Sequence, residues 1–275
     1  MSSKDHHKNN GIITSALLAA DRNILRVEKL FSTPAGIDVT LSLTYYVLRF
    51  THARLLERLS KQYERLAVDF AAKASGALVP GDTVIATIEA PQTKLSETCT
   101  TVKTAAGAIS DFRAFTRLWG LLGIYSWARG TYLEPPKDEI IRAIIWVQIF
   151  AGFWYAVLEN GAYLVTKGVL RGPKWSVREE KWYRWSSSAW LVHIVLEAAR
   201  MLRAKQLEAD SKDAVKSREA DRQWQLDFYR NASWAPLAYH WSVPDGQSPV
   251  TETYLGLLGA FPGIVRLRGL WAATA

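Results

Sequence analysis

Between Ala143 and Val165 the chain runs for 23 residues, AIIWVQIFAGFWYAVLENGAYLV, without a lysine or arginine. A helix of about 20 apolar residues is long enough to cross a bilayer, so this stretch must lie either in a large core or in lipid. Gln148, Glu159 and Asn160 interrupt it. The Glu159-Asn160 pair ends its deepest part near Leu158, which suits a tilted, partial or protein-paired span. Mean hydropathy over the whole chain is only −0.05, too low for a polytopic transporter, so at most one or two segments can cross. The 12 Trp and 11 Tyr point to lipid, because these rings collect at membrane–water boundaries. A net charge of +8 suits either nucleic acid or an anionic phospholipid surface. No zinc-finger or RNP signature is present, so lipid is the expected partner and nucleic acid is not.

Around this stretch the periodicity is helical, and the expected fold class is all-α: a membrane-associated helical bundle with amphipathic helices and one or two membrane-embedded apolar helices. Residues 1–14 read as a disordered tail, and 15–275 as a single domain carrying a Gly-, Pro- and Thr-rich loop insert at about 75–104, where Thr83 to Ile88 alternate weakly as a strand would. Pro34 and Gly36 break the first helix, and a second, long one is expected from about Asp38 through Lys73. Helical spacing resumes from Ile109 to Ala128, and Pro135-Pro136 marks a turn. An aromatic and basic loop is expected over Lys167 to Trp185, followed by an apolar helix from Ser186 to Leu202 that the serines would cap. Residues 203–230 read as a solvated helix with mixed charges. Tyr254 to Val265 form an apolar segment in which Gly259 and Gly263 are spaced for helix packing in lipid.

Two segments carry amphipathic stripes. From Arg54 to Lys73, at 100° per residue, Leu55, Leu56, Leu59, Tyr63, Leu66 and Phe70 fall within an arc of about 100°, with Arg54, Arg58, Lys61 and Arg65 on the far side. Such a helix can sink its apolar face into the acyl boundary, and it can equally be a bundle helix with a solvated face. From Asp111 to Ala128, Phe112, Phe115, Leu118, Trp119 and Leu122 share a side while Arg113 and Arg117 occupy the other. Beyond Gly120 the polar face fades, as it would in a helix entering a membrane obliquely. The candidate membrane-binding residues are therefore Phe112, Arg113, Phe115, Arg117, Trp119 and Leu122, and Leu55, Leu59 and Leu66 on the first stripe.

Nothing reads as catalytic. His-Glu-x-x-His, Cys-x-x-Cys, phosphate-loop and nucleophile-elbow patterns are missing, and His193 with Glu197 is a polar pair more readily than a metal site. The lone Cys99 can form no intramolecular disulfide, which suits a reducing compartment. No secretory signal follows the polar first ten residues, and the chain ends Ala-Ala-Thr-Ala rather than in the Ser-Lys-Leu address of soluble peroxisomal enzymes. No enzyme activity, metal or cofactor is expected.

Several segments, in order, resemble one family. Asp21 to Arg26 is similar to an Asp-Lys-x-x-Arg opening, with Asn23 where Lys is usual. Ser110 to Leu122 (SDFRAFTRLWGLL) is similar to an Arg-containing amphipathic segment, and Tyr155 to Leu170 (YAVLENGAYLVTKGVL) to a Leu-Glu-Asn region. Trp182 to Leu202 resembles a Trp/Ser/His helix, and Pro236 to Trp271 a C-terminal block. By these segments the chain resembles the peroxin-eleven family of peroxisomal membrane-proliferation proteins, in its fungal C-type branch. The insert near 75–104 has no counterpart there. The resemblance implies a peroxisomal membrane protein that elongates that membrane before fission and helps to recruit the fission machinery. It further implies self-association and post-translational insertion through the membrane-protein import receptor. An oligomeric solute channel is the alternative the family raises.

Overall fold

The computed structural model describes residues 3–75, 91–210 and 218–275, with side chains from Leu17 onward. All regular structure among them is helical. Helix α1 spans Ser3–Phe31 and α2 Pro34–Ser75; α3 spans Lys94–Thr116, a single 3-10 turn Arg117–Trp119, and α4 Gly120–Leu133. Then follow α5 Glu139–Thr166, α6 Pro173–Asp210, α7 Arg218–Ala232, α8 Ala235–Ser242 and α9 Glu252–Ala272.

Several boundaries differ from the sequence reading for identifiable reasons. The segment expected as a tail is helical in its backbone from Ser3. The break before the second helix is present, α1 ending at Phe31, but α2 starts at Pro34 instead of near Asp38: at the first helical position proline's missing N–H costs nothing, and the Thr33 hydroxyl accepts the Gly36 amide at 3.0 Å as a cap. The weak strand at 83–88 lies outside the described residues. The insert ends earlier than 104, because Thr93 and Ser96 close a reciprocal capping box (Ser96 N to Thr93 Oγ1 3.2 Å, Thr93 N to Ser96 Oγ 2.9 Å) that starts α3. The basic, aromatic stretch after α5 is a loop only over 167–172. There Gly168 takes φ +67°, and Val169 N bonds Leu164 O at 2.9 Å, a left-handed glycine cap. Pro173 then opens α6, so Trp175, Trp182 and Trp185 are helical. Ser186, Ser187 and Ser188 lie inside α6 and cap nothing; their hydroxyls donate back to the carbonyls of Tyr183 and Arg184 at 2.8–3.0 Å.

Two helix systems make the bundle. In one, α2 lies between α9 and α3. Its seam with α9 is built on glycine: a Cβ on Gly256 would stand 2.6 Å from Phe50 Cβ, one on Gly263 3.0 Å from Leu43 Cβ, and one on Gly259 inside the Tyr46 ring. The glycines expected to serve packing in lipid are thus occupied within the chain. Tyr46 stands edge-on to Trp234 with centroids 5.5 Å apart, and with Leu237, Leu255 and Ala260 it forms the buried core. Leu237 and Leu255 are fully enclosed, each contributing at most about 1.5–3 kcal/mol.

The other system is the α5–α6 pair, closed by α8. One face of α5 is buried through Gln148, Ala151, Ala156, Ala162 and Tyr163, and Gly161 lets Trp182 sit where a Cβ would be 2.8 Å from its ring. The opposite face exposes Trp146, Val147, Phe150, Phe153 and Trp154. Among the described residues α5 is the one helix long and apolar enough to cross a membrane, and only 22% of its most apolar window is buried. Its 28 residues give a length of about 42 Å. A core helix of a soluble protein would bury most of such a window, so the aromatic face is suited to lipid.

Candidate membrane-insertion site

The segment read as one amphipathic helix over Asp111 to Ala128 is broken by a 3-10 turn, the corner of this site. α3 stops at Thr116, the 3-10 turn carries Arg117 to Trp119, and α4 starts at Gly120. Gly120 and Gly123 have no neighbour where a Cβ would stand, so they pack against nothing and weaken the helix locally. The corner is fastened to α5. Arg117 Nε donates to Glu159 Oε2 at 2.9 Å and its Nη2 lies 2.9 Å from Oε1, a two-pronged pair. Asn160 Nδ2 donates to Leu118 O at 3.3 Å, satisfying a carbonyl at the break. Lys167, at the end of α5, pairs with Asp111 on α3, and the hydrogen bond to that carboxylate holds its ammonium above the ordinary lysine range. The Leu158-Glu159-Asn160 interruption of the apolar stretch is therefore a clamp on the corner.

The clamp reverses part of the sequence expectation. Arg113 does not stand free on an outer polar face: it donates from Nε to Asp38 Oδ1 on α2 at 3.1 Å. Arg117 is engaged by Glu159, so neither guanidinium is unpartnered for lipid phosphate. Of the apolar members of the stripe, Leu118 is half-buried and the other four are exposed. Phe112 and Phe115 are half exposed, Trp119 is 56% and Leu122 66% exposed. The Phe115 and Trp119 rings meet edge-on with centroids 5.3 Å apart, a preferred aromatic geometry that stiffens the protrusion. Holding such side chains in water is costly, and their burial elsewhere is the natural inference.

The first stripe is divided. Leu59 is buried at 8% exposure, Leu55 is half-buried, and Leu66 is exposed. α3 packs along α2, and Tyr63 Oη donates to Pro91 O at 3.4 Å, so protein covers part of this stripe. Arg54 and Lys61 pair with Glu57 at 2.6 and 3.1 Å. Of the two readings, the bundle helix fits Leu59.

The polar residues of the apolar helices are cross-linked. Gln148, fully buried, donates from Nε2 to Glu197 Oε2 at 3.1 Å, and Arg200 grips the same carboxylate at 2.6 and 2.8 Å. The His193 ring stands edge-on to Trp127. At the start of α5, Asp138 accepts the Ile141 amide at 2.9 Å and Arg203 at 2.8 Å. The Arg203 hydrogen bond first, and the helix amide second, hold its carboxyl below the usual carboxylate range. Among the described residues no three His, Cys, Asp or Glu side chains gather as metal ligands would, and Cys99 is buried. The clamp and the Gln148–Glu197 bridge were missed in the sequence. The available signal was the cost of leaving a polar side chain unpaired in a 23-residue apolar stretch.

Comparison with known proteins sets this geometry in context. The model of the family described as Peroxisomal biogenesis factor 11 (PEX11) matches residues 84–274, which take in the corner, its clamp, both apolar helices and α9. An uncharacterized protein of Schizosaccharomyces pombe is 33% identical over 162 residues, covering 59% of this chain and 72% of that protein. No solved structure matches the chain.

Proposed function

The chain belongs to the Peroxisomal biogenesis factor 11 (PEX11) family, and from that premise we propose that it elongates the peroxisomal membrane by driving the aromatic corner between α3 and α4 into one leaflet. The family fixes the coarser statement: this is a peroxisomal membrane protein of peroxisome proliferation and division, and the family is one of biogenesis factors rather than enzymes. The observation that supports the finer one is the exposed set Phe112, Phe115, Trp119 and Leu122, held outward on a corner that Arg117–Glu159 ties to α5. A wedge needs apolar bulk and a rigid mount. Burying each large side chain contributes at most about 1.5–3 kcal/mol, and the clamp couples the strain of a displaced leaflet to the α5–α6 pair. The basic balance of the chain, +8, favours an anionic phospholipid surface, with about 1 kcal/mol for each cation near it; here cations other than Arg113 and Arg117 carry that attraction.

Self-association, delivery by the membrane-protein import receptor and contact with fission factors belong to the same proposal. Self-association would use a surface other than the glycine seam, which α2 already fills. The channel alternative has less support, because the hydrogen bonds of Gln148, Glu159, Asn160 and Glu197 are made to other groups of the same chain. Flotation of purified full-length protein with anionic liposomes tests the wedge. Phe115→Glu with Trp119→Glu is expected to weaken liposome deformation while the α5 anchor keeps the protein in the bilayer. Deformation equal to wild type would remove the corner from the mechanism.

A further inference from the structure

Between the two helix systems lies a chamber of about 620 Å³ lined by both charged and aromatic side chains, and beside it a smaller, mainly apolar cleft of about 300 Å³. The two are not independent: Arg117, Tyr155, Glu159 and Trp190 form the wall of both. The cleft runs on to Gly120, Ile124 and Gly152; a Cβ on Gly152 would already touch Ile124 Cδ1 at 3.7 Å, so any larger side chain there would extend into the cleft. A charged room opening into a narrow apolar one has the shape of an amphiphile. It lies at the Glu159 end of α5, where the apolar stretch gives way to polar residues and headgroups meet acyl chains.

The charges in the chamber say which amphiphile. Arg113 and Arg117 are taken by Asp38 and Glu159. Arg184 is different. Its side chain is 28% exposed, its nearest carboxylate, Glu180, stands 3.6 Å away, beyond hydrogen-bond reach, and its buried Nε has no partner. A buried guanidinium N–H without a hydrogen-bond acceptor is costly, and an acidic oxygen supplied from outside would satisfy it. Glu180 and Asp245 line the same chamber, beside the rings of Trp190, Trp234 and Trp241. A purely anionic headgroup would face Asp245 and compete with Glu180 for Arg184. A headgroup carrying both a phosphate and an ammonium satisfies both sides, since aromatic faces and carboxylates attract alkylammonium groups.

We propose that this pair of cavities binds one molecule of a zwitterionic glycerophospholipid, with its phosphate at Arg184, its ammonium toward Glu180, Asp245 and the tryptophans, and an acyl chain along Ile124 and Gly152. The site rests on the membrane placement of the chain and not on the wedge. It makes a lipid part of the seam that joins the α2–α9 system to the α5–α6 pair.

Native mass spectrometry of full-length, detergent-delipidated protein tests it, with dioleoyl phosphatidylcholine, dioleoyl phosphatidylglycerol and inorganic phosphate as separate probes. One phosphatidylcholine per chain is expected, displacing phosphatidylglycerol in competition, with phosphate alone not retained. Arg184→Gln is expected to weaken retention about tenfold or more, as loss of a charged hydrogen bond would, and Arg184→Lys less. Gly152→Leu, whose side chain would enter the cleft, is expected to do so without touching the headgroup, and it decides the matter should Arg184→Gln not fold by circular dichroism. The Phe115→Glu, Trp119→Glu protein is expected to retain lipid as wild type does, which separates this site from the wedge. Retention unchanged by Arg184→Gln or by Gly152→Leu, preference for phosphatidylglycerol, or equal capture of free phosphate would each overturn the assignment.

Discussion

The α2–α9 seam yields a prediction in which one substitution has opposite signs at two places on one helix. Alanine exceeds glycine in helix propensity by about 1 kcal/mol in a helix interior, so Gly→Ala in α9 should stabilise wherever the new methyl has room. Gly269 is exposed, with nothing within 4 Å of a Cβ, and Gly269→Ala should gain up to about 1 kcal/mol. At Gly256 the methyl would lie 2.7 Å from the Phe50 backbone N and Cα. Backbone in the middle of α2 cannot swing aside, so the helices must separate; overpacking of this kind costs about 1–3 kcal/mol, which exceeds the propensity gain. With a melting shift of about 2–4 °C per kcal/mol for a chain of this size, Gly256→Ala should melt several degrees below Gly269→Ala. Thermal melts by circular dichroism in one detergent, read against wild type, give both signs. If Gly256→Ala melts as high as Gly269→Ala, the seam is not close-packed, and α9 is freed for contacts between molecules.

Two further outcomes follow from ion pairs. Glu159→Gln should cost about 1–3 kcal/mol, because it leaves the Arg117 guanidinium part-buried without its carboxylate. Adding Arg117→Gln should restore part of that loss, a coupling that a double-mutant cycle of melts would detect and that additive losses would refute. At the start of α9 the hydrogen bond from Arg49 Nε to Glu252 Oε2, 2.7 Å, is the main cause holding the Glu252 carboxyl below the ordinary glutamate value. A depressed carboxylate contributes stability that is full above its unfolded pKa of about 4.3 and is lost as pH falls through the folded value. Glu252→Gln should therefore flatten acid destabilisation below about pH 5 while lowering stability at neutral pH; an acid titration with the wild-type slope would refute the pairing.

The helices were legible in the sequence wherever a period decided the matter. Ala143 to Val165 was found as an apolar run and the Asp111 to Ala128 stripe by apolar spacing; Trp119 and Leu122 are exposed, although a 3-10 turn breaks the single helix that spacing implied. Boundaries set by short-range chemistry were harder. Thr93 with Ser96, and Pro34 behind Thr33, start helices by hydrogen bonds that composition alone reads as loop. The orientation of charge was least legible. Arg113 and Arg117 lie opposite the aromatic face on a helical wheel, and a wheel cannot say whether the far side meets solvent or another helix; their partners, Asp38 and Glu159, lie 75 and 42 residues away. Gly256, Gly259 and Gly263 likewise announce a close approach without naming the partner, which is α2 of the same chain.

The wedge is tested most directly in cells that lack the endogenous protein and express either wild type or the full-length Phe115→Glu, Trp119→Glu variant at matched levels. The number and length of peroxisomes is the measurement, with the protein's own position scored in the same cells. The account predicts that the variant reaches the peroxisomal membrane, since α5 is untouched, yet leaves peroxisomes few, round and enlarged. Peroxisomes as numerous and elongated as with wild type, at equal expression, would contradict it.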